Sequence, residues 1–235
     1  MKKTILLFLT FVSLLNAQEI YATFNVVAVK NAKLAFVAGG IVKDINANID
    51  SIVKKGDILA SLNNDDIKAL LDNAKTTLKF AKRNLDRQKK VKKFLDQGKF
   101  DLVLSNYEKA KNNLAYQQAL YDKTYLKAPF DGIIYYKDIE IGDAVSGMML
   151  KTVFKIQSLH ERKLVLEFDQ KYNKIVKVGD TFNYKIDGDN KTYTGTISKI
   201  YPYANFNNRK IRAEVKAKDI VVGLFGDGTI ITDKK

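Results

Sequence analysis

Leu126-Lys127-Ala128-Pro129-Phe130-Asp131-Gly132-Ile133-Ile134 is the stretch that decides the fold. Pro129 is one of two prolines in the 235 residues. It lacks a backbone donor and biases the residue before it away from the α region, so a helix reaching this point must stop. Asp131-Gly132 supplies a tight turn, because glycine accepts φ > 0 at no steric cost. Ile133-Ile134-Tyr135-Tyr136 then has strand composition. Within these residues a helical pattern ends and the chain returns to a sheet.

The segment has a counterpart upstream. Ala38-Gly39-Gly40-Ile41-Val42 opens a run that reaches Lys54-Lys55-Gly56-Asp57 and Ile58 to Leu62. Downstream, Ile133-Ile134 leads to Glu140-Ile141-Gly142-Asp143-Ala144-Val145. Each half reads as glycine, a branched strand, a loop and a Gly-Asp turn, so Gly56-Asp57 is expected to match Gly142-Asp143. Two halves of one small β-domain, interrupted by an insertion, fit this pattern.

The insertion has a helical period. Asn63-Asn64-Asp65-Asp66 offers capping side chains and acids for the positive end of a helix dipole. From there Ile67, Leu71, Ala74, Leu78, Ala81, Leu85, Gln88, Lys92 and Leu95 follow 4,3 spacing, the seam of a coiled coil. After Gly98 a second seam runs through Val103, Tyr107, Ala110, Leu114, Gln117, Tyr121 and Thr124. Two seams joined by a short turn predict an antiparallel hairpin, about 45 Å long for thirty residues per helix. From Lys75 to Lys93 there are nine Lys or Arg and one acid, Asp86. After Val145 the chain reads as strands throughout: Lys163–Phe168, Thr181–Ile186, Thr192–Ile200, Ile211–Val215 and Gly228–Thr232, at small-barrel spacing. The fold class is α+β, mainly β.

The split halves, the helical insertion and the return motif Ala128-Pro129-Phe130-Asp131-Gly132 resemble the membrane fusion protein family, the periplasmic adaptors of tripartite efflux pumps and type I secretion systems. The resemblance covers roughly Lys33 to Thr232. It implies a lipoyl-like β-domain in two halves (18–64 and 126–160), a hairpin (65–125) and a β-barrel domain (161–235). A membrane-proximal domain is expected to be reduced or absent. It implies an inner-membrane transporter and an outer-membrane channel as partners, and a ring of the chain itself, in six copies. An RND-type transporter exporting drugs or other small toxic compounds fits the moderate hairpin length better than an ABC exporter. In the family a basic residue, a Leu and a Ser near the hairpin turn meet the channel. Lys92, Leu95 and Ser105 stand near those places, with Gly98 at the turn.

Other chemistry is set aside on the sequence. The only histidine, His160, lies in Ser158-Leu159-His160-Glu161-Arg162, read as a linker, and no Ser/His/Asp or Cys/His set exists. No catalytic residue, cofactor or metal site is expected. Asp65-Asp66 is read as a cap rather than a metal pair. Met148-Met149 is read as packing rather than as Cu(I) ligands. Gly39-Gly40 opens no helix and is not a phosphate loop. A periplasmic substrate- or metal-binding protein remains the alternative to the adaptor.

The chain is 46% hydrophobic and 28% charged, with no cysteine, so disulfides and lipid attachment at a cysteine are both excluded. Lys2-Lys3, the apolar run Ile5–Leu15 and Ala17 have the order of a secretory leader, and the run is too short to span a bilayer comfortably. Residues 1–17 are therefore read as a signal peptide and the mature protein as periplasmic, held at the inner membrane through its transporter. Losing Lys2 and Lys3 takes the net charge from +14 to +12. Such a balance invites nucleic acid, but export argues against it. N-terminal sequencing of the protein from a periplasmic fraction should begin at Gln18. Met1 retained in a membrane fraction would instead identify the run as an anchor.

Overall fold

The computed structural model describes residues 17–91 and 96–233. The chain is mainly β with one pair of long helices, and it divides into two units. One runs from Lys30 to Leu159. The other joins the stretch ending at Val29 to the stretch beginning at His160. The first strand, β1 (Ala17–Ala28), belongs to the second unit.

The Lys30–Leu159 unit is a sandwich of two four-stranded sheets with a helical hairpin inserted. Its first half supplies β2 (Asn31–Leu34), β3 (Gly40–Ile45), β4 (Ile52–Val53) and β5 (Ile58–Leu62). The second supplies β6 (Tyr125–Lys127), β7 (Gly132–Lys137), β8 (Ala144–Val145) and β9 (Phe154–Gln157). The sheet orders are β2-β9-β7-β4 and β6-β5-β3-β8. In each sheet the inner pair comes from one half and the two outer strands from the other. Neither half can complete a sheet alone. Phe36, Val42, Leu59, Leu62, Ile134, Phe154 and Ile156 fill the core between the sheets.

The internal repeat is real, but its register differs from the one expected. Val53 lies opposite Gly132 in the β4–β7 pair, and Val145 lies opposite Gly40 in the β8–β3 pair. Gly40 therefore matches Gly132 and Val53 matches Val145, at a constant spacing of 92 residues. On this spacing the partner of the Glu140–Asp143 turn is Asn48–Ser51, not Lys54–Asp57. Both turns place their third residue at positive φ, 74° for Asp50 and 93° for Gly142. Both have a fourth side chain that accepts from the first N–H: Ser51 Oγ from Asn48 at 2.9 Å and Asp143 Oδ2 from Glu140 at 2.8 Å. Substitution of Asp for Gly and Ser for Asp hid the match. The Gly-Asp sequence, by contrast, is a generic device. It recurs at Lys54–Asp57 and again in the barrel at Lys177–Asp180, each time with the Asp carboxylate on the first N–H at 2.8 Å.

The insertion forms α1 (Asp65–Lys90) and α2 (Gln97–Asp122), 26 residues each. That is about 39 Å of helix, shorter than the sequence suggested because the turn between them begins at Val91. Both seams face inward. Leu71, Ala74, Leu85 and Ala110 are buried, and Ile67, Leu78, Ala81, Val103, Tyr107 and Leu114 are half-buried. Lys75, Lys79, Lys82 and Arg83 lie on the exposed side. Helix α2 stops at Asp122, before Pro129 is reached. Thr124 and Tyr125 leave the helix because their backbone is taken up by the sheet: Leu62 N–H donates to Thr124 O at 2.9 Å, and β6 pairs with β5.

The second unit is a closed six-stranded barrel, ordered β1-β10-β13-β12-β11-β14. Its later strands are β10 (Glu161–Asp169), β11 (Thr181–Ile186), β12 (Tyr193–Ala204), β13 (Lys210–Lys218) and β14 (Phe225–Asp233). Period-two alternation sends Ile20, Ala22, Phe24 and Val26 of β1 inward beside Leu164, Leu166 and Phe168 of β10. The resemblance places residues 18–29 in the lipoyl-like domain; the structure gives them to the barrel, where β1 closes the ring between β10 and β14. A strand pattern reveals its inward face but not its partner, and here the partner of Ala17 is Asp233. At Gly226 and Gly228 a Cβ would lie 2.1 Å from Lys185 O and 2.3 Å from Asn183 O, so β14 can follow this path only with glycine.

Leu85 is 3% exposed. Leu85→Asp should cost about 3 kcal/mol or more within the hairpin, lower helicity by circular dichroism and open α1 to proteolysis. Lys79→Asp, on the exposed side, should leave both unchanged. Unchanged protease resistance in Leu85→Asp would mean that the seam is not packed.

Candidate functional site

A hairpin can act as an arm only if its root is fixed. Asn64 stands at the N-cap position of α1, yet its side chain makes no cap bond. Its Nδ2 donates instead to Thr124 Oγ1 at 2.8 Å, between two buried side chains. Thr124 Oγ1 in turn donates to Tyr121 O at 2.7 Å. The hydroxyls of Tyr121 and Tyr125 lie 2.7 Å apart with their rings edge to face. That hydrogen bond, with some burial, pushes the Tyr121 phenol above its usual range. Lys43 reaches Asp65 at 3.6 Å from the sheet. The expected cap is thus a cross-link between the two ends of the insertion.

The return motif secures the same region from below. Ala128 is buried, donates its N–H to Asp57 O at 2.9 Å and accepts from Gly56 N–H at 2.8 Å. Asp131 Oδ1 accepts from Lys55 N–H at 2.7 Å. Gly132 is buried so closely that a Cβ would sit 2.3 Å from Gln157 O. Phe130 is half-buried with the Lys30 ammonium 6.0 Å from its ring centre, and Pro129 is exposed. The motif clamps the Lys54–Asp57 turn of the first half to β7 of the second.

At the far end, Asp96 caps α2, accepting from Lys99 N–H at 3.2 Å. Gly98 lies in the first turn of α2 and Ser105 about two turns further on, both exposed. Lys92 and Leu95 lie outside the described residues. Sequence reasoning missed Val91, Leu102 and Leu104, which are exposed near the tip; Leu102 is 61% exposed. Their signal was apolar character at positions off the 4,3 seam. Met148 and Met149 are exposed, Met148 by 94%, which corrects their reading as packing residues. His160 lies at the head of β10, exposed, with Nδ1 2.8 Å from Asp219. Among the described residues no group of three His, Cys, Asp or Glu is placed to hold a metal, and no helix is long and apolar enough to cross a membrane.

The family described as CzcB-like, barrel-sandwich hybrid domain matches residues 30–157, more than half of the chain. No curated protein matches. Solved structures do. A MacA-MexA chimeric protein containing the Pseudomonas aeruginosa MexA alpha-hairpin domain superposes with a TM-score of 0.84 at 17% identity, over 92% of this chain and 82% of that one. MacA from Actinobacillus actinomycetemcomitans gives 0.78 at 17% identity, over 92% and 79%. ZneB from Cupriavidus metallidurans gives 0.62 at 17% identity, over 92% and 71%. At such identities the likeness is one of fold. With its interlocked sandwich, rooted hairpin and flanking barrel, the chain belongs to the CzcB-like barrel-sandwich hybrid family, the membrane fusion proteins that act as adaptors in tripartite efflux.

Proposed function

We propose that this chain is the periplasmic adaptor of an efflux pump that joins an inner-membrane RND-type transporter to an outer-membrane channel and exports drugs or other small toxic compounds. The observation that carries this reading is the hairpin. Two helices of about 39 Å are cross-linked at the root by Asn64 and Thr124 and leave apolar side chains exposed near the tip. A single hairpin cannot enclose a conduit, so the working form is a ring; the resemblance to the adaptor family implies six copies. The tip, with Lys92, Leu95, Gly98 and Ser105 and now Val91 and Leu102, docks the channel. An ABC-type exporter is the alternative partner. Crosslinking in cells followed by identification of the captured inner-membrane protein distinguishes the two.

Met148 and Met149 favour a second reading, a periplasmic metal- or substrate-binding protein, since exposed thioethers are soft ligands. It requires a ligand-dependent rise in melting temperature.

Leu102→Asp and Leu95→Asp place a charge at the tip without touching either β-unit. Under the adaptor reading they should abolish resistance in cells at normal protein level, while capture of the transporter persists. Full resistance in both variants would remove the tip from the mechanism.

A further inference from the structure

One end of the barrel carries a surface that adaptor function does not account for. The pairs Thr23–Glu167 and Glu167–Arg212 align the middle of β1 with the end of β10 and the start of β13 at this end. A 3-10 turn, Gln170–Tyr172, follows β10. Between it and β12 lies a groove of about 900 Å³ with Ile175, Ile200, Pro202 and Ile211 in its walls and Lys171 and Lys174 on its rim. No acid lines it. Beside it the β12–β13 loop carries Phe206, 97% exposed, and Tyr203 of β12, 56% exposed, lines the groove. This loop is well fixed. Asn205 N–H donates to Lys210 O and Arg209 N–H to Asn205 O, both at 2.8 Å, and Gln170 N–H ties Arg209 O to the 3-10 turn at 3.1 Å. An aromatic ring held almost wholly in water on a hydrogen-bonded loop costs free energy that an apolar contact would recover.

The charges around it are predominantly positive. Residues 170–177 and 203–210 carry Lys171, Lys174, Lys177, Arg209 and Lys210 and no acid. None of these five makes an ion pair among the described residues. Of the acids that pack nearby, Glu167 and Glu214 are in ion pairs, and Asp169 and Asp180 accept from backbone N–H groups. Glu167 takes Arg212 at 2.9 Å and Asn208 at 3.3 Å. Asp169 accepts from Lys171 N–H at 2.9 Å, and Asp180 from Lys177 N–H at 2.8 Å. Glu214 holds Lys163 and accepts from Tyr201 at 2.6 Å.

We propose that this barrel end binds the surface of an anionic phospholipid bilayer, with Phe206 and Tyr203 at the headgroup level and the five cations over the lipid phosphates. Tyr203 suits that interface because its ring is apolar and its hydroxyl polar, and Phe206 adds apolar area that inserts at the acyl boundary. The lysine and arginine stems extend along it while their charges stay in water. Each cation close to an anionic leaflet adds attraction, and no single one must form a defined pair. The contact does not depend on which transporter the adaptor serves.

The chain lacks tryptophan, so Phe206→Trp in the full chain makes a single-site reporter. Its emission should shift to the blue on adding vesicles of phosphatidylcholine with phosphatidylglycerol, and not on adding phosphatidylcholine alone. Lys171→Gln with Lys174→Gln in the same chain should weaken the response about 30-fold, following the contribution of each near-surface cation. Phe80→Trp, on the exposed side of the hairpin, should not shift. The proposal is overturned if anionic vesicles leave the emission of the Phe206→Trp variant unmoved, which would leave the groove to an acidic protein partner. It is equally overturned by a shift indifferent to lipid charge and to the two lysines, or shared by the hairpin reporter.

Discussion

Four backbone hydrogen bonds hold the sandwich closed. Val42 N–H donates to Asp143 O at 2.9 Å and Ile134 N–H to Ser51 O at 3.0 Å; Gly142 N–H donates to Val42 O at 3.0 Å and Asp50 N–H to Ile134 O at 2.8 Å. They are two copies of one interaction, exchanged between the halves of the repeat. Buried backbone groups without partners cost free energy, so each half depends on the other to finish its sheet. The hairpin is inserted between them without opening the sandwich, because its ends already lie side by side. The β5–β6 ladder and the Asn64–Thr124 bond keep them there. Closure of so long an insertion adds little entropy cost, since that cost grows only with the logarithm of length.

The clamp of Ala128 and Asp131 on the Lys54–Asp57 turn extends this logic to the root of the arm. It fixes β6, which continues from α2, against β5, which continues into α1. The seam itself provides modest apolar burial, with alanine at Ala74, Ala81 and Ala110 and larger side chains between. Alanine allows close helix approach while leucine supplies the area. Toward the tip the seam turns polar at Gln88, while Leu85 and Phe100 stay buried there and hold the far half of the hairpin together.

The barrel solves a different problem. A strand edge left open is a template for unwanted pairing, and β1 removes it by joining β10 on one side and β14 on the other. The aromatic set Phe24, Phe182 and Tyr184, with centroids 5.3 to 5.9 Å apart, fills the interior. Gly226 and Gly228 let β14 pass over these rings. Outside, Glu167 and Glu214 pair with Arg212 and Lys163, while Lys171, Lys174, Lys177, Arg209 and Lys210 make no ion pair among the described residues.

Period alone made much of this legible. The 4,3 spacing from Ile67 to Gln88 and from Val103 to Thr124 named the inward faces of both helices, because side-chain direction in a helix follows from position. The alternation of Leu and Val with charges from Lys163 to Phe168 marks the inward face of β10 for the same reason. The return motif lies just beyond the point where the chain re-joins the sheet, which it does at Tyr125 in β6. What sequence could not decide was partnership. Nothing in Ala17–Ala28 says that it pairs with residues two hundred positions away, since a β-ladder joins backbones that carry no record of each other. Nor could it show that Asn48–Ser51, rather than Lys54–Asp57, mirrors Glu140–Asp143, because Asp50 and Ser51 reproduce a backbone shape and a hydrogen bond without reproducing the letters. The local turn chemistry belongs to the sequence; which turn answers which, and which strand closes the barrel, was decided only when the two ends and the two halves of the chain met.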